Sequence, residues 1–270
     1  MLYVNVVEPL LRLLLASKGY ILLHSACLCE KGNGYLISAP PDTGKTTTIL
    51  KCIRDKGFQF LSDDMTIVDR FGRLFSFPKP MTISAHTFHA LSPRNEGCEN
   101  ISLKIRGYAH SRMGRKILRI LGRPSSMPIL TINAIAQYFV RPPKVKITEV
   151  MKNVKICGFS CGKCKTGHGA KLRSIYFLTK GRAEIYPLST EEALTGAILN
   201  SDDAFGFPPY DKIFPHLSIE GFSFSDLMAR ERGILCSVLS NSDHFRISSD
   251  NYGWSNMLIE SIHANQITGE

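Results

Sequence analysis

The run Ala39-Pro40-Pro41-Asp42-Thr43-Gly44-Lys45-Thr46 has the spacing of a phosphate-binding loop, with Ala in place of the first Gly. An apolar stretch precedes it and a helix-forming stretch follows, so backbone amides of the loop and helix start, through Thr47, are expected to cradle anionic oxygens. Lys45 would reach the terminal phosphates as a point charge, and the Thr46 hydroxyl would face Mg²⁺. Pro40 and Pro41 carry no N–H, which leaves fewer donors than a Gly-rich loop offers. Further on, Asp63 and Asp64 are adjacent at the end of an apolar run, a pairing that suits one metal-directed and one proton-handling carboxylate. The bland alternative is an Asp pair capping a turn. His24 lies just before the loop strand, where it is either a core histidine or a group beside the phosphates. Cys157-x3-Cys161-x2-Cys164-x3-His168 brings three thiols and an imidazole into one Gly-rich loop. That set suits tetrahedral Zn²⁺, with a disulfide, uncoordinated thiols or an iron–sulfur cluster as the other readings. Cys27, Cys29, Cys52, Cys98 and Cys236 read as small buried hydrophobes.

These groups need a scaffold. Residues 9–18 read as a leucine-rich helix with Pro in its first turn and Gly19 as its stop. Its leucines cover more than half the circumference, which predicts a buried helix rather than a membrane-surface one. Residues 20–28 form one apolar, strand-like run, a turn follows at 30–34, and 35–38 is a second strand. A helix over 46–56 is capped by Gly57. Residues 58–61 read as a strand, and 65–68 with 74–77 as a hairpin around Arg70-Phe71-Gly72. A second hairpin is expected from 171–178 and 183–188, closed at Lys180-Gly181-Arg182. Ser189-Thr190-Glu191-Glu192 opens a helix to about Asn200 with a capping box. Residues 234–239 and 245–248 read as strands, and 254–264 as a terminal helix. Strands and helices mix without strict alternation, so the expectation is an α/β fold with a mixed sheet.

The chain has 270 residues, 44% of them hydrophobic and 21% charged, which excludes a disordered chain. No apolar stretch is long enough for a membrane helix, because the best candidate, 124–140, carries Pro128, Asn133 and Gln137. Glu8 and Pro9 interrupt the N-terminal apolar run, so it does not read as a signal peptide, and a cytoplasmic location is expected. From Asn100 to Thr148 there is no acidic residue, while ten Lys and Arg fall there, as many as the whole net charge of +10. That stretch is either a solvated amphipathic face, centred on Arg112, Arg115, Lys116 and Arg119, or a surface for an anionic partner. An acidic protein, a phosphorylated substrate, RNA and a lipid surface are the partner classes that fit. Sparse aromatic residues give base stacking little support. The stretch 100–170 is expected to be a basic, Cys-containing insertion in one domain spanning 1–270.

Leu23-His24-Ser25-Ala26, then the loop 39–46, then Leu61-Ser62-Asp63-Asp64 together resemble the HPr kinase/phosphorylase and phosphoenolpyruvate carboxykinase superfamily. Phe77-Pro78-Lys79-Pro80 and the stretch from Leu172 to Leu178, followed by Leu188-Ser189 and a helix, are similar to it as well. The resemblance covers residues 8–85 and, more loosely, 171–200. It implies a mixed-sheet P-loop kinase core in which Lys45 binds nucleotide phosphates and Thr46 binds Mg²⁺. It further implies that Asp63 is the general base on an acceptor hydroxyl or helps hold the metal, while Asp64 and His24 approach the metal or the transferred phosphoryl group. The chain lacks the carboxykinase Arg motif and the HPr kinase signature after the Asp pair, so neither decarboxylation nor HPr as acceptor is expected. The resulting expectation is an ATP-dependent phosphotransferase acting on a hydroxyl. The rival is a nucleotide-binding regulatory or RNA-binding module without turnover.

Overall fold

The computed structural model describes residues 6–40, 43–77, 81–82, 144–145, 169–205, 210–250 and 253–267. The chain divides into two compact units, one of Met1–Lys79 with Lys155–Glu270 and one of Pro80–Val154. In chain order the first unit holds α1 (Glu8–Ser17), β1 (Tyr20–Leu23), β2 (Ala26–Glu30), β3 (Asn33–Ser38), α2 (Lys45–Lys56), β4 (Gln59–Ser62), β5 (Thr66–Asp69) and β6 (Arg73–Ser76). The second unit is described only as a strand pair, β7 (Met81–Thr82) with β8 (Lys144–Val145). The first unit resumes with β9 (Ala170–Thr179), β10 (Glu184–Pro187), α3 (Thr190–Phe205), α4 (Tyr210–Ile213), β11 (Ser218–Ile219), β12 (Phe222–Ser223), α5 (Phe224–Leu239), β13 (Asp243–Ser248) and α6 (Trp254–Ile267).

Nine strands form one mixed sheet in the order β1-β5-β6-β9-β3-β2-β4, with β13 beside β9 and β10 beside β13. β3, β9 and β13 run parallel, and the remaining pairings in this sheet are antiparallel. This is the mixed α/β architecture expected. β9 is the pivot: β3 lies along one edge, while β6 at Ala170–Lys171 and β13 from Ser174 onward share the other. Its alternate residues serve two layers, as the two-residue strand period requires. Ile175 and Phe177 join a buried cluster with Ala193, Leu194 and Ala197 of α3 and Leu235, Val238 and Leu239 of α5. Tyr176 points the other way, its hydroxyl 3.4 Å from Ser261 Oγ on α6. Tyr35 on β3 likewise meets Phe58, which stacks on His263 of α6. The sheet is thus covered by α3 and α5 on one face and by α2 and α6 on the other.

Several local expectations hold. Gly57 caps α2 at φ 72°, β5 and β6 form the expected hairpin, and Ser189 opens α3 through reciprocal bonds with Glu192. α3 runs past Asn200 to Phe205. Cys27, Cys29 and Cys52 are buried and Cys236 is half-buried, while Cys98 lies outside the described residues.

Four expectations are corrected. The run 20–28 is not one strand: it breaks at His24-Ser25, so that β1 pairs with β5 and β2 with β3 and β4. β9 and β10 do not pair as a hairpin, because β13 inserts between them. Residues 234–239 are the last turns of α5, whose start is set eleven residues earlier by a capping box between Ser223 and Asp226. α1 is buried on one side only: Leu13 and Ala16 are covered, whereas Leu10 and Leu14 are exposed. The covered side of α1 also carries Arg12, whose Nε and Nη2 form a double hydrogen bond to Glu231 of α5 at 2.8–3.1 Å. Nη2 reaches Asp202 of α3 as well, at 2.9 Å. Burial works against the Arg12 charge, but Glu231 and Asp202 together outweigh it and hold the guanidinium above its ordinary pKa. Among the described residues no helix is long and apolar enough to cross a membrane.

Candidate functional site

The site forms where β3 ends and the chain must turn into α2. Ala39 is buried and Pro40 exposed, and the Thr43 amide donates to the Pro40 carbonyl at 3.4 Å. Gly44 then adopts φ 105°, ψ 17°, a left-handed conformation that a side chain would strain, and becomes the N-cap of α2. The first helical bond runs from Thr48 N to Gly44 O at 2.9 Å. The amides of Lys45 and Thr46 precede that bond, so they sit in the first turn, where a helix directs its donors and its positive dipole end outward. Thr46 is half-buried in this turn, while Thr43, Thr47 and Thr48 are buried. Pro41 and Asp42 lie outside the described residues.

Three residues far apart in sequence meet at this turn. Lys45 Nζ lies 3.4 Å from Asp64 Oδ1, and His24 Nε2 lies 3.2 Å from the same oxygen. The His24 and Lys45 side chains are only 10% and 11% exposed, whereas Asp64 is 35% exposed. Asp64 is therefore the solvent-facing member of a largely enclosed cluster. Asp63, beside it in sequence, is 8% exposed. β4 stops at Ser62, and both Asp residues lie in the bend to β5.

Hydroxyl bonds fix that bend. Thr66 Oγ1 donates to the Ser25 carbonyl at 2.9 Å, so the Ser62 hydroxyl, 2.6 Å away, donates to Thr66 Oγ1. The Asp bend is thereby tied to the break that follows His24. This break is what gives His24 its position: a continuous strand would have carried it along the sheet.

Asn200 on α3 holds the other side of His24. Its backbone carbonyl lies 3.2 Å from His24 Nδ1, and its side-chain amide donates to Ser38 Oγ at 2.6 Å. A carbonyl only accepts, so Nδ1 carries the proton there. Nε2 lies against the Asp64 carboxylate. Ser38 and Asn200 were not singled out in the sequence. Ser38 is the last residue of β3, and Asn200 was visible only as the expected end of a helix, with no spacing signal linking it to His24.

A cavity of about 320 Å³ adjoins this cluster, with Ser38, Ala39, Phe177, Gly196, Leu199 and Asn200 among its lining residues. A larger one, of about 560 Å³, is lined by Arg12, Asp202, Glu231 and aromatic residues of α3, α4 and α5. None of its lining residues belongs to the phosphate loop, so the smaller cavity is the one that bears on the chemistry.

Cys157, Cys161, Cys164 and His168 lie outside the described residues, as do Arg112, Arg115, Lys116 and Arg119. Among the described residues no group of three or more His, Cys, Asp and Glu side chains is arranged to hold a metal ion. A Mg²⁺ site of the nucleotide-bound kind does not require one, since one or two protein oxygens plus phosphates and water complete its octahedron. The half-buried Thr46 hydroxyl and the 35% exposed Asp64 carboxylate are hard oxygen donors of that type. Compared with protein families and with curated proteins, the chain matches no family model and no curated sequence.

Proposed function

We propose that this chain is a P-loop phosphotransferase of the HPr kinase and phosphoenolpyruvate carboxykinase type, moving the γ-phosphoryl group of ATP to a hydroxyl. The observation that carries this reading is the meeting of Lys45, Asp64 and His24 at the start of α2, three residues from three separate stretches of chain. A turn that merely capped a helix would have no need of a largely enclosed Lys and His converging on one carboxylate.

In this reading the first-turn amides of α2 and the Lys45 ammonium hold the terminal phosphates. Thr46 and Asp64 are the residues that would hold Mg²⁺, which when bound neutralises charge on the β- and γ-phosphates. Asp63 accepts the proton of the acceptor hydroxyl as its oxygen bonds to the γ-phosphorus, and the bridging bond to the β-phosphate breaks to release ADP. The His24 imidazole, placed by the Asn200 carbonyl, stands beside Asp64 and the phosphoryl group in transit. The chemistry relies on positioning and electrostatics more than on covalent participation by the protein.

Incubation with γ-labelled ATP and fractionated pools of hydroxyl-bearing proteins and small molecules tests the assignment. Label transferred to an acceptor, and lost in Lys45→Ala, is the expected result. ATP that binds stoichiometrically yet is never transferred across these pools would favour a regulatory nucleotide-binding module instead.

A further inference from the structure

The larger cavity, of about 560 Å³, is lined by none of His24, Lys45 and Asp64. Its volume falls within the roughly 300–1,000 Å³ of small-molecule sites. Residues of α1, α3 and α5 bound it, and its walls are of two kinds. One wall is aromatic. Tyr210, Phe214 and Phe224 stand in a column, with successive ring centroids 4.3 and 5.1 Å apart and planes inclined by 13° and 26°. Phe214 and Phe224 are only half-buried, so ring surface is still uncovered there.

The other wall is polar. The Arg12 guanidinium lies 5.0 Å from the Phe205 ring centroid, and its side chain is 9% exposed. Its Nε and Nη2 groups are bonded to Glu231 and Asp202. Nη1 bonds to none of the described residues, yet it is not sealed by protein atoms. Because Arg12 lines the cavity, the Nη1 hydrogens are the donors it offers there. Asp202, bonded to the neighbouring Nη2, is 56% exposed and places an acceptor beside that donor. A buried ion pair of this kind adds little stability over apolar packing, so stability alone does not account for one at a cavity wall. Among the described lining residues the charges balance, Arg12 and Arg232 against Asp202 and Glu231. An ion entering the cavity would therefore meet no excess counter-charge, whereas a neutral molecule needs none.

We propose that this cavity binds an uncharged, flat heteroaromatic molecule whose edge carries a carbonyl beside an N–H. The carbonyl accepts from Arg12 Nη1, the N–H donates to the Asp202 carboxylate, and the ring packs against the aromatic column. This site is independent of the phosphotransferase reading and stands or falls without it.

Saturation-transfer NMR titrations of the full chain with three probes test the assignment. 2-Quinolone has both the flat ring and the lactam edge, 2-naphthoate has the ring with a negative charge, and caprolactam has the edge without an aromatic ring. 2-Quinolone should bind saturably and roughly fivefold or more tightly than either of the others. Ala229 is an exposed residue of α5 that lines the cavity, so Ala229→Trp fills it from the rim and should weaken 2-quinolone by roughly tenfold. Arg12→Lys keeps a cation opposite Glu231 but removes the guanidinium fork, and should weaken 2-quinolone by roughly fivefold. Thermal melting checks that the variants are folded, and Ala229→Trp carries the test if Arg12→Lys is not. Absence of saturable 2-quinolone binding, or unchanged binding in Ala229→Trp, would overturn the site. Unchanged binding in a folded Arg12→Lys would remove Arg12 as the donor. Equal or tighter binding of 2-naphthoate would overturn the uncharged class, and of caprolactam the aromatic one.

Discussion

Asp64 is the carboxylate that both the Lys45 ammonium and the His24 imidazole contact, so replacing it by Asn separates electrostatics from shape. At an effective dielectric constant of about 20, a unit-charge pair at the 3.4 Å of Lys45–Asp64 is worth roughly 5 kcal/mol. The 35% exposure of Asp64 allows water to screen the pair, which brings the stabilising share down to about 1–2 kcal/mol. The His24 contact at 3.2 Å is screened in the same way and lost with it. Asp64→Asn should therefore lower the melting temperature of the ligand-free protein by about 2–8 °C, at roughly 2–4 °C per kcal/mol for a chain of this size. Phosphates would supply the missing anion. ATP in the presence of EDTA should thus raise the melting temperature of Asp64→Asn by more than it raises that of the parent. Transfer in the presence of Mg²⁺ should fall sharply, because a metal-directed oxygen is gone. Differential scanning with and without ATP reads the first two effects, and a single-turnover assay reads the third. Unchanged ligand-free melting together with an ATP increment equal to the parent's would refute the claim that Asp64 is the counter-ion of this cluster.

Lys45→Ala should weaken ATP binding and slow transfer together, whereas Asp63→Asn should leave ATP binding intact while transfer falls by roughly 10²–10⁴-fold. Nucleotide titration beside single-turnover kinetics distinguishes the two. Glu231→Gln removes the partner that balances the buried Arg12 charge and should cost about 3 kcal/mol or more in denaturant unfolding; Arg12→Met in the same chain should recover part of that loss. The Ser189 amide and hydroxyl hold the Glu192 carboxyl below its ordinary pKa, and the Ser223 hydroxyl and amide do the same for Asp226. A depressed carboxyl stabilises the fold above its unfolded pKa and loses that contribution as pH falls through its folded pKa. Thermal melts of Glu192→Ala and Asp226→Ala should thus lie below the parent at pH 7 and converge with it below about pH 4. Burial pushes the Cys52 thiol up to about 12, so Cys52 should resist thiol reagents in the native protein at pH 8 and react once denatured, as mass spectrometry would show.

Local chemistry was legible in the sequence. The turn into α2 needs a residue tolerant of positive φ, and Gly44 supplies it immediately before Lys45. The stop of α2 at Gly57 and the start of α3 at Ser189 are likewise set by residues a few positions apart. Such features depend on backbone conformation and hydrogen bonds within one turn, which neighbouring residues determine. For the same reason His24, Lys45 and the Asp pair could be picked out individually. Where pairing partners are distant, local pattern was not enough. The apolar run 20–28 looks like one strand by composition, but its two halves pair with different partners, and the break between them is held by bonds such as that from the remote Thr66 Oγ1 to the Ser25 carbonyl. The hairpin expected from β9 and β10 was lost to β13, sixty residues further along, which matches both strands in register. The apolar residues Ile234–Leu239 suit a strand or a helix equally, and the capping box at Ser223 and Asp226 decides for the helix from outside that window. Asn200 illustrates the limit most clearly, since its carbonyl orients His24 only because α3 packs across the ends of β3 and β9. Side-chain types and short spacings record which chemistry a chain can perform, while the pairing of remote strands and the packing of α3 determine which of those groups meet.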